Sequence, residues 1–583
     1  MIMVPQRKEL IKAVLNHEEL DLLIENVQVV DVYTGRITPG TLGIKDGRIV
    51  HPDAKGYSAK ATFDGRGCYA MPGFMDSHVH LDSTLLTPEN LAEMIVPHGT
   101  TVMLADPMEI ANVAGIEGLK ALLLAANEVP YHILLEVCSR VPTAPGLETT
   151  GGELRLDAVR EILTWENSIS LGELDPSKVL GMLDEYLGKV EAAHALNKIA
   201  NGHAAGLSGD ELVAYANGGL ADDHECVDYE DAVGRLKLGL SVLVREGSTE
   251  RNLELILGKA MQEGLNTRHF MFCTDDKHPD DIEAEGHIDY MVNKAIALGV
   301  PPVEAIQMAS LNTAQHFRMD DRFGSLTPGR WADVILSESL EKIVPVDVFV
   351  RGEHVASQGK LTQPIPSIEY PEWVRHTVKL TNGRKAEDFI LTAEGDQADV
   401  WVIELYPDQI INRPGKAALP VMNGAVQTDP ARDLLKLAVV ERYGKNGNIG
   451  VTFVQGFGMQ NGAIASSVSH DHHNIVIAGT NDTDMAACAA AVEEMQGGLA
   501  VAANGKVLGR LPLPIGGLMS ERPAAEVIKI LEEMTAVYHE LGGTLPAPFM
   551  TISFISLPTV PELGLTDMGL VDVRKHALIS PFC

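Results

Sequence analysis

The stretch Ala70-Met-Pro-Gly-Phe-Met-Asp-Ser-His-Val-His-Leu-Asp82 decides how this chain is interpreted. Its apolar residues predict a buried strand that ends at His78-Val79-His80. Residues two apart in a strand point to the same face, so both imidazoles would project side by side from the strand's end. Paired imidazoles are typical metal ligands. The alternative is two unrelated histidines, and the residues that follow along the chain decide between the two.

The composition of the 583 residues is that of a globular protein with several domains. Hydrophobic residues make up 45% of the chain and charged residues 22%, which is ordinary for a globular protein and enough for large cores. This length predicts roughly two to four domains. The net charge of −34 argues against nucleic acid and anionic membrane surfaces as partners, because both attract basic proteins. A small neutral substrate is compatible with that charge.

The cysteine pattern and the start of the chain both predict a cytoplasmic protein. Six cysteines lie scattered without a Cys-x-x-Cys pair, which is typical of neither a disulfide framework nor a zinc finger. The first residues include Gln6-Arg-Lys-Glu9 and do not form a secretory signal. No apolar run approaches the roughly 18 residues that a membrane span needs. We therefore expect no membrane association.

Changes of pattern divide the chain into four segments of α/β character. The first begins with a short amphipathic helix and continues as apolar runs with turns, among them the hairpin signal Asp46-Gly47. The second alternates apolar runs with helical stretches over about 250 residues, the size of a (β/α)8 barrel. The third returns to β character, so we expect the barrel to be inserted in a small β-sandwich domain. The fourth is a separate, Gly-rich α/β domain. The segments are 1–72, 73–324, 325–380 and 381–583.

Polar residues follow several apolar runs of the second segment, where a barrel places its active site. They supply imidazole and carboxylate groups, a set that suits a pair of divalent transition-metal ions with a bridging carboxylate. Zn, Mn and Fe all accept such ligands. The residues are His78, His80, Glu173, His203, His224 and Asp275.

Each residue downstream of the strand also has a purely structural explanation. His203 would be a hydrogen-bonded buried histidine, and His224, which stands among acids, a solvated loop residue. Asp275 or Asp276 would cap the next helix. Glu173 would be an acid in the first turn of a helix. All of these explanations must hold together to remove the metal site, and the order of the residues along the chain disfavours that.

The sequence resembles the amidohydrolase superfamily and, within it, the bacterial adenine deaminases over nearly its whole length. The fourth segment resembles that family's own C-terminal domain, whose motifs are more family-specific than the metal residues. The resemblance rests on Pro72-Gly-Phe-Met-Asp-Ser-His-Val-His, Asp106-Pro-Met-Glu-Ile-Ala-Asn-Val, Gly202-His-Ala-Ala-Gly, Asp223-His-Glu-Cys, Thr274-Asp-Asp-Lys-His, Ala465-Ser-Ser-Val-Ser-His-Asp-His-His-Asn and Leu513-Pro-Ile-Gly-Gly-Leu-Met-Ser.

The resemblance implies a metal-dependent hydrolase that removes the exocyclic amine of adenine, or of a related amino-heterocycle, as ammonia. By family position the four histidines would be metal ligands. Glu173 would bridge the ions, Asp275 would contact metal and move protons, and these two carboxylates are the catalytic candidates. The family implies two divalent ions per chain, with Mn or Fe favoured and Zn possible. It also suggests a homo-oligomer, such as a dimer, and an adenine-like small molecule as the partner.

Residues beside the ligands depart from the family's usual motifs. Asp82 stands where the family has Glu, Met108 where it has His, and Leu174-Asp175 where it has Met-Met. A contact of Asp175 with a substituent on a different ring competes with its capping of a helix before Pro176. We expect substrate contacts from the residues near these departures and near the last strand. They are Asp82, Met108, Glu109, Asp175, Asp276 and His278.

Two other functions and one other cluster stay open at this point. A cyclic amide would be hydrolysed by the same ligands without release of ammonia, and a degenerate member would bind a purine without turning it over. The run His470-Asp-His-His473 would bind a further metal, touch the active site or order a turn.

Overall fold

The structure is a computed structural model that describes residues 4–381, 385–406, 412–559 and 562–583. Its first part is a helix followed by five strands. Asp46 and Gly47 form the turn between the second and third strands, and both have positive φ (49° and 70°), as two-residue hairpin turns require. These elements are α1 (Val4–Leu15), β1 (Leu20–Asp31), β2 (Arg36–Lys45), β3 (Arg48–His51), β4 (Ala59–Asp64) and β5 (Tyr69–Pro72).

Parallel strands alternate with helices in the next part of the chain, as the sequence predicts. The strands are β6 (Phe74–Val79), β7 (Thr100–Ala105), β8 (His132–Val137), β9 (Ser168–Leu174), β10 (Ile199–Gly202), β11 (Asp222–Asp223), β12 (Ser241–Arg245) and β13 (Phe270–Cys273). The helices are α2 (Pro88–Ile95), α3 (Met108–Leu123), α4 (Leu156–Ile162), α5 (Pro176–Leu180), α6 (Asp184–Ala195), α7 (Gly209–Asn217), α8 (Tyr229–Lys237), α9 (Leu253–Gln262), α10 (Pro279–Glu285), α11 (Ile288–Ala297), α12 (Pro302–Met308) and α13 (Leu311–His316).

These strands form a curled parallel arrangement. One sheet has the order β10-β9-β8-β7-β6 and the other the order β11-β12-β13. His80 N donates to Asp275 O at 3.0 Å and Asp275 N donates to His78 O at 3.1 Å, which links the end of β6 to the residue after β13. Ala221 N donates to Ala200 O at 2.9 Å, beside β10 and β11. Every residue of these strands is buried, as is typical of parallel strands covered by helices.

The strands that follow return to the first sheet. The order is β17-β16-β15-β14-β5-β1-β2-β3, with β4 paired to β1. The two β segments that are far apart in sequence therefore belong to one nine-stranded hydrogen-bonded sheet, and a two-layered sandwich stays a prediction. The added strands are β14 (Val334–Ser337), β15 (Pro345–Val350), β16 (Glu353–Ser357) and β17 (Lys360–Leu361).

The last part of the chain has a mixed nine-stranded sheet, β20-β19-β18-β22-β21-β24-β23-β25-β26, and a separate three-stranded sheet. The strands are β18 (Gln397–Leu405), β19 (Asn412–Met422), β20 (Ala425–Val426), β21 (Leu435–Val440), β22 (Ile449–Gln455), β23 (Ala463–Ser466), β24 (Ile475–Gly479), β25 (Gly498–Ala503), β26 (Lys506–Pro512), β27 (Leu563–Thr566), β28 (Gly569–Asp572) and β29 (Ala577–Ile579). The helices are α14 (Asp482–Met495), α15 (Ala524–Glu540) and α16 (Pro548–Phe554).

Hydrogen bonds dock this last part onto loops that follow β6 and β8. Asp567 accepts hydrogen bonds from Thr149 N at 2.9 Å and from Thr149 Oγ1 at 2.7 Å. Asn474 Nδ2 donates to Thr149 O at 2.8 Å, and Ser520 N donates to Leu85 O at 2.8 Å. The loops lie at the carboxyl ends of the parallel strands, so C-terminal residues are brought over those ends. No α-helix in the described ranges is long and apolar enough to cross a bilayer.

The docking contact predicts the effect of Asp567→Ala. Asp567 is 2% exposed and Thr149 is half-buried, so removal of the carboxylate takes the acceptor from the Thr149 amide and hydroxyl, which costs about 1–3 kcal/mol. We expect a lower urea midpoint of unfolding and faster hydrogen exchange at the Thr149 amide. Asp572→Ala is the control, because Asp572 bonds only Lys575 at the surface and should change stability by about 0.5 kcal/mol or less. Equal effects of both variants would contradict the docking role.

Candidate metal centre and ligand cavity

His78 and His80 lie at the end of β6 with their ring Nδ1 atoms already engaged. His78 Nδ1 is 2.6 Å from Glu136 Oε2, and both side chains are fully buried. His80 Nδ1 is 2.9 Å from the carbonyl oxygen of Asp106. A neutral imidazole that donates from Nδ1 keeps the lone pair of Nε2 for a metal ion. Both Nε2 atoms face Asp275 Oδ1, at 4.0 Å and 3.4 Å.

Glu173, near the end of β9, lies at the centre of the cluster. Its Oε2 is 2.9 Å from His203 Nδ1 and 3.0 Å from His224 Nε2, while its Oε1 is 3.7 Å from His80 Nε2. Arg140 Nη2 donates to Oε1. Burial alone would raise the pKa of Glu173, but the Arg140 guanidinium and the nearby imidazoles hold it well below the usual range. The carboxylate is therefore ionised and shared by ligands from several strands.

Asp275 follows β13 and faces the same centre. Its Oδ2 is 3.6 Å from His224 Nε2 and 2.8 Å from Arg245 Nη1. Although burial opposes ionisation, Arg245 lowers the pKa of Asp275. Asp275 also has a φ of 57°, the left-handed region that residues with side chains rarely occupy outside turns and functional sites.

The six predicted ligands fit a divalent metal centre. The buried Nε2 atoms of His78 and His203 have no hydrogen-bond partner, although buried polar atoms almost always have one. Imidazole and carboxylate donors suit divalent transition ions. In three groups of side chains, ligand atoms lie within 4.8 Å of one another: His78, His224 and Asp275; His78, His80 and Glu173; Glu173, His203 and His224.

Three of the four structural explanations do not describe what the structure has, whereas the fourth, a hydrogen-bonded buried histidine, does describe His203, whose Nδ1 lies 2.9 Å from Glu173 Oε2. Glu173 lies in a strand, and the N-cap of α10 is His278, so Asp275 and Asp276 cap no helix there. His224 is 2% exposed and is not a solvated loop residue. The cluster's side chains instead converge on one cavity.

That cavity has a volume of about 400 Å³ when its opening to solvent is included. Residues of two separate parts of the chain line it. The strand ends contribute His80, Arg140, Glu173, His203, His224, Glu225, Arg245, Asp275 and Asp276. The C-terminal part contributes His470, Asp471, Phe554, Leu557 and Thr559.

Of the six predicted substrate contacts, Asp276 lines the cavity and the others lie behind its walls. Asp276 Oδ1 accepts a hydrogen bond from Ser83 Oγ at 2.6 Å. Asp82 Oδ2 accepts from the backbone amide of Ile110 at 2.6 Å. Burial and the nearby Glu109 carboxylate raise the pKa of Asp82 well above its ordinary value.

The remaining candidates have structural partners. Asp175 accepts a hydrogen bond from Ser177 N at 2.9 Å at the N-cap of α5, which is the capping alternative. Met108 begins α3 and is 1% exposed. His278 N donates to Ser248 Oγ at 2.9 Å.

Glu109 connects the cluster to the C-terminal part of the chain. Its Oε2 is 3.3 Å from His80 Nδ1 and its Oε1 is 3.2 Å from His470 Nδ1. Of the open alternatives for the C-terminal histidines, the structure therefore has His470 touching the cavity. Glu109, His470 and His473 also form a cluster with metal-binding spacing, so that alternative stays open.

Sequence reasoning missed four charged residues around the ligands: Glu136, Arg140, Glu225 and Arg245. A signal exists for two of them, because Glu136 stands inside a strand whose residues are all buried and Arg245 ends another such strand. Charged residues are almost never fully buried unless they are paired, so each predicts a partner. No local pattern singles out Phe554 or Leu557, since apolar residues are common in any core.

Comparison with known proteins agrees with this geometry. Residues 69–247 and 254–355 match the family described as "Amidohydrolase family", and residues 409–577 match "Adenine deaminase C-terminal domain". A protein named adenine deaminase from Desulforamulus reducens is 54% identical over 98% of this chain and 97% of its own length. The adenine deaminase of Desulfatibacillum aliphaticivorans is 40% identical over 96% of this chain and 97% of its own length.

The contact between His78 and Glu136 predicts weaker metal binding in Glu136→Gln. The neutral amide holds the Nδ1 proton less firmly, and loss of such a partner typically reduces metal affinity 10- to 100-fold. Competition with a chelator, followed by elemental analysis, measures the affinity for Mn. Glu148→Gln is the control, because Glu148 is also buried, at 7% exposed, and accepts from Ala144 N without touching a predicted ligand. Equal affinities for Mn in the two variants would show that Glu136 does not support metal binding.

Proposed function

The chain belongs to the adenine deaminase family of amidohydrolases, and from this premise we propose that it hydrolyses adenine to hypoxanthine and ammonia. Water replaces the exocyclic amine, so one C–N bond breaks and one C–O bond forms. The observation that carries the proposal is the group of four imidazoles and two carboxylates, of which all but His78 line one cavity. Hydrolysis of a cyclic amide and binding without turnover are not favoured, since the relatives are adenine deaminases.

The same residues would hold the divalent metal ions of the reaction. His78, His80, His203, His224, Glu173 and Asp275 would hold these ions, with Glu173 shared between them; Mn or Fe is favoured and Zn is possible. When bound, such ions supply Lewis acidity and make water nucleophilic at neutral pH. The unpartnered Nε2 atoms of His78 and His203 support this assignment.

Asp275 is the proposed proton carrier. Its ionised carboxylate accepts a proton from the attacking water and delivers it to the departing amine, as general acid–base catalysis requires. Arg245, 2.8 Å from Asp275 Oδ2, holds that carboxylate in place. Arg140 does the same for Glu173, which is the proposed bridge. The guanidinium groups thus keep both acids charged and oriented.

We also propose that residues 73–324 form a closed (β/α)8 barrel inserted in a β-sandwich domain of residues 1–72 and 325–380. Residues 381–583 would be the family's C-terminal domain. The hydrogen bonds between the ends of β6 and β13, and those beside β10 and β11, support the closed barrel. A cytoplasmic homodimer that acts on purines in metabolism stays a prediction of the sequence.

The direct test is ammonia release from adenine by protein reconstituted with Mn or Fe, against a metal-free sample. We expect metal-dependent release at roughly 1 per second or more. No release with two metals bound per chain would keep the hydrolase site and reject adenine, and cyclic amides would be assayed next.

Asp275→Asn tests the proton carrier. The amide has no carboxylate to accept a proton, so kcat should fall about 10²- to 10⁴-fold at unchanged folding. Asp321→Asn is the control, because the Asp321 side chain is 70% exposed and remote from the cavity lining. An Asp275→Asn variant with normal kcat would reject the role of this residue.

A further inference from the structure

The C-terminal wall of the cavity carries a carboxylate oxygen without a hydrogen-bond partner. Asp471 lines the cavity and is 4% exposed, and its Oδ2 has no hydrogen bond from the residues that the structure describes. The nearest cation is Arg140, whose Nη1 lies 3.6 Å away, beyond hydrogen-bond distance. The same guanidinium bonds Glu173 and lies 3.9 Å from Asp175 Oδ2, so three acids share it. A buried acceptor left free in this way is costly unless a ligand completes it.

Neighbouring side chains give this wall a fixed shape. The His470 ring stacks on Phe554 with centroids 4.4 Å apart and planes within 6°. His470 Nδ1 is held 3.2 Å from Glu109 Oε1, so the ring cannot swing into the cavity freely. Thr559 Oγ1 is also buried and has no partner within the described part of the chain. The wall therefore offers a carboxylate acceptor and a hydroxyl beside flat, apolar surface.

The chemical structure of the proposed substrate indicates which of its atoms the carboxylate and the hydroxyl of this wall would contact. Adenine has its amino group on the six-membered ring and its one ring N–H on the five-membered ring. An amino carbon placed at the predicted ligands leaves the five-membered ring facing the remaining walls of the cavity. Among the residues lining those walls, Asp471 has the unpartnered carboxylate oxygen that accepts a ring N–H.

We propose that Asp471 makes the enzyme selective for a free purine base, by accepting the N–H of the five-membered ring and so excluding bases substituted at that nitrogen. The inference rests on the proposed function. A methyl or ribosyl group removes the donor and leaves the carboxylate buried and unpaired against apolar atoms. Sites built to bind an N–H reject analogues that lack it far more strongly than apolar pockets do.

A purely structural role for Asp471 makes a different prediction. If the carboxylate only balances Arg140 and thereby steadies Glu173, its loss lowers activity toward every substrate by the same factor. If Asp471 accepts a hydrogen bond from the ring N–H, its loss weakens adenine binding, whereas kcat/KM for N-substituted bases stays the same or rises. The ratio of the two substrates separates these roles.

The experiment uses Mn-reconstituted full-length enzyme with adenine and 9-methyladenine, and measures kcat and KM from ammonia release. For the wild type we expect kcat/KM for adenine to exceed that for 9-methyladenine at least about 100-fold. Asp471→Ala should raise KM for adenine about 10- to 100-fold, with a smaller change in kcat, and bring the ratio towards one. Asp471→Asn keeps an oxygen acceptor and should recover part of the affinity for adenine. Asp433→Asn, on a C-terminal loop outside the cavity lining, should match the wild type.

Three results would overturn the inference, and one arm of the experiment needs no variant. Efficient deamination of 9-methyladenine by the wild type excludes selection at this nitrogen, even if Asp471→Ala fails to fold. An unchanged substrate ratio in folded Asp471→Ala, with equal loss for both substrates, assigns Asp471 to support of Arg140 alone. Wild-type enzyme that releases no ammonia from adenine rejects the proposed function itself, and the inference with it.

Discussion

The burial of an ionised carboxylate, Glu173, is the constraint on which the site depends. A charge without water needs positive or hydrogen-bonding partners on every side. Arg140 and the imidazoles of His203 and His224 supply them, and they come from different loops and strands. The carboxyl ends of the parallel strands must therefore stay together, because moving any one of them away would leave the Glu173 charge buried without a partner. The same requirement creates a place for divalent cations.

A series of polar side chains in contact with one another leads from the metal-ligand cluster into the space between the strands. His78 is held by Glu136, whose other oxygen accepts from Asn201 at 3.2 Å. Asn201 in turn lies 3.3 Å from Asp222 Oδ2, which is 2.6 Å from His316 Nε2. Glu136, Asn201 and Asp222 are thus linked by these contacts, and the contact with Glu136 gives the ring of His78 one orientation. Packing and ligand geometry are set by the same contacts.

The C-terminal part of the chain is a structural component of the cavity as well as a separately folded sheet. Glu109 lies between His80 and His470, so one carboxylate touches both the predicted metal site and the C-terminal wall. Asp567 and Thr149 fasten the two parts farther out. A cavity built from two parts of the chain encloses a small ligand more fully than strand ends alone, which suits the recognition of a whole heterocycle.

The sequence by itself determined the features that depend on local periodicity. The alternation that ends at His78 and His80, the Asp46-Gly47 turn and the polar residue after each apolar run follow from backbone geometry within a few residues. The tertiary structure decided which side chains meet. It brought Arg245 to Asp275 and Arg140 to Glu173, because such contacts join residues that are distant in sequence and leave no local pattern. The partner of a buried charge is set by the packing of the whole fold.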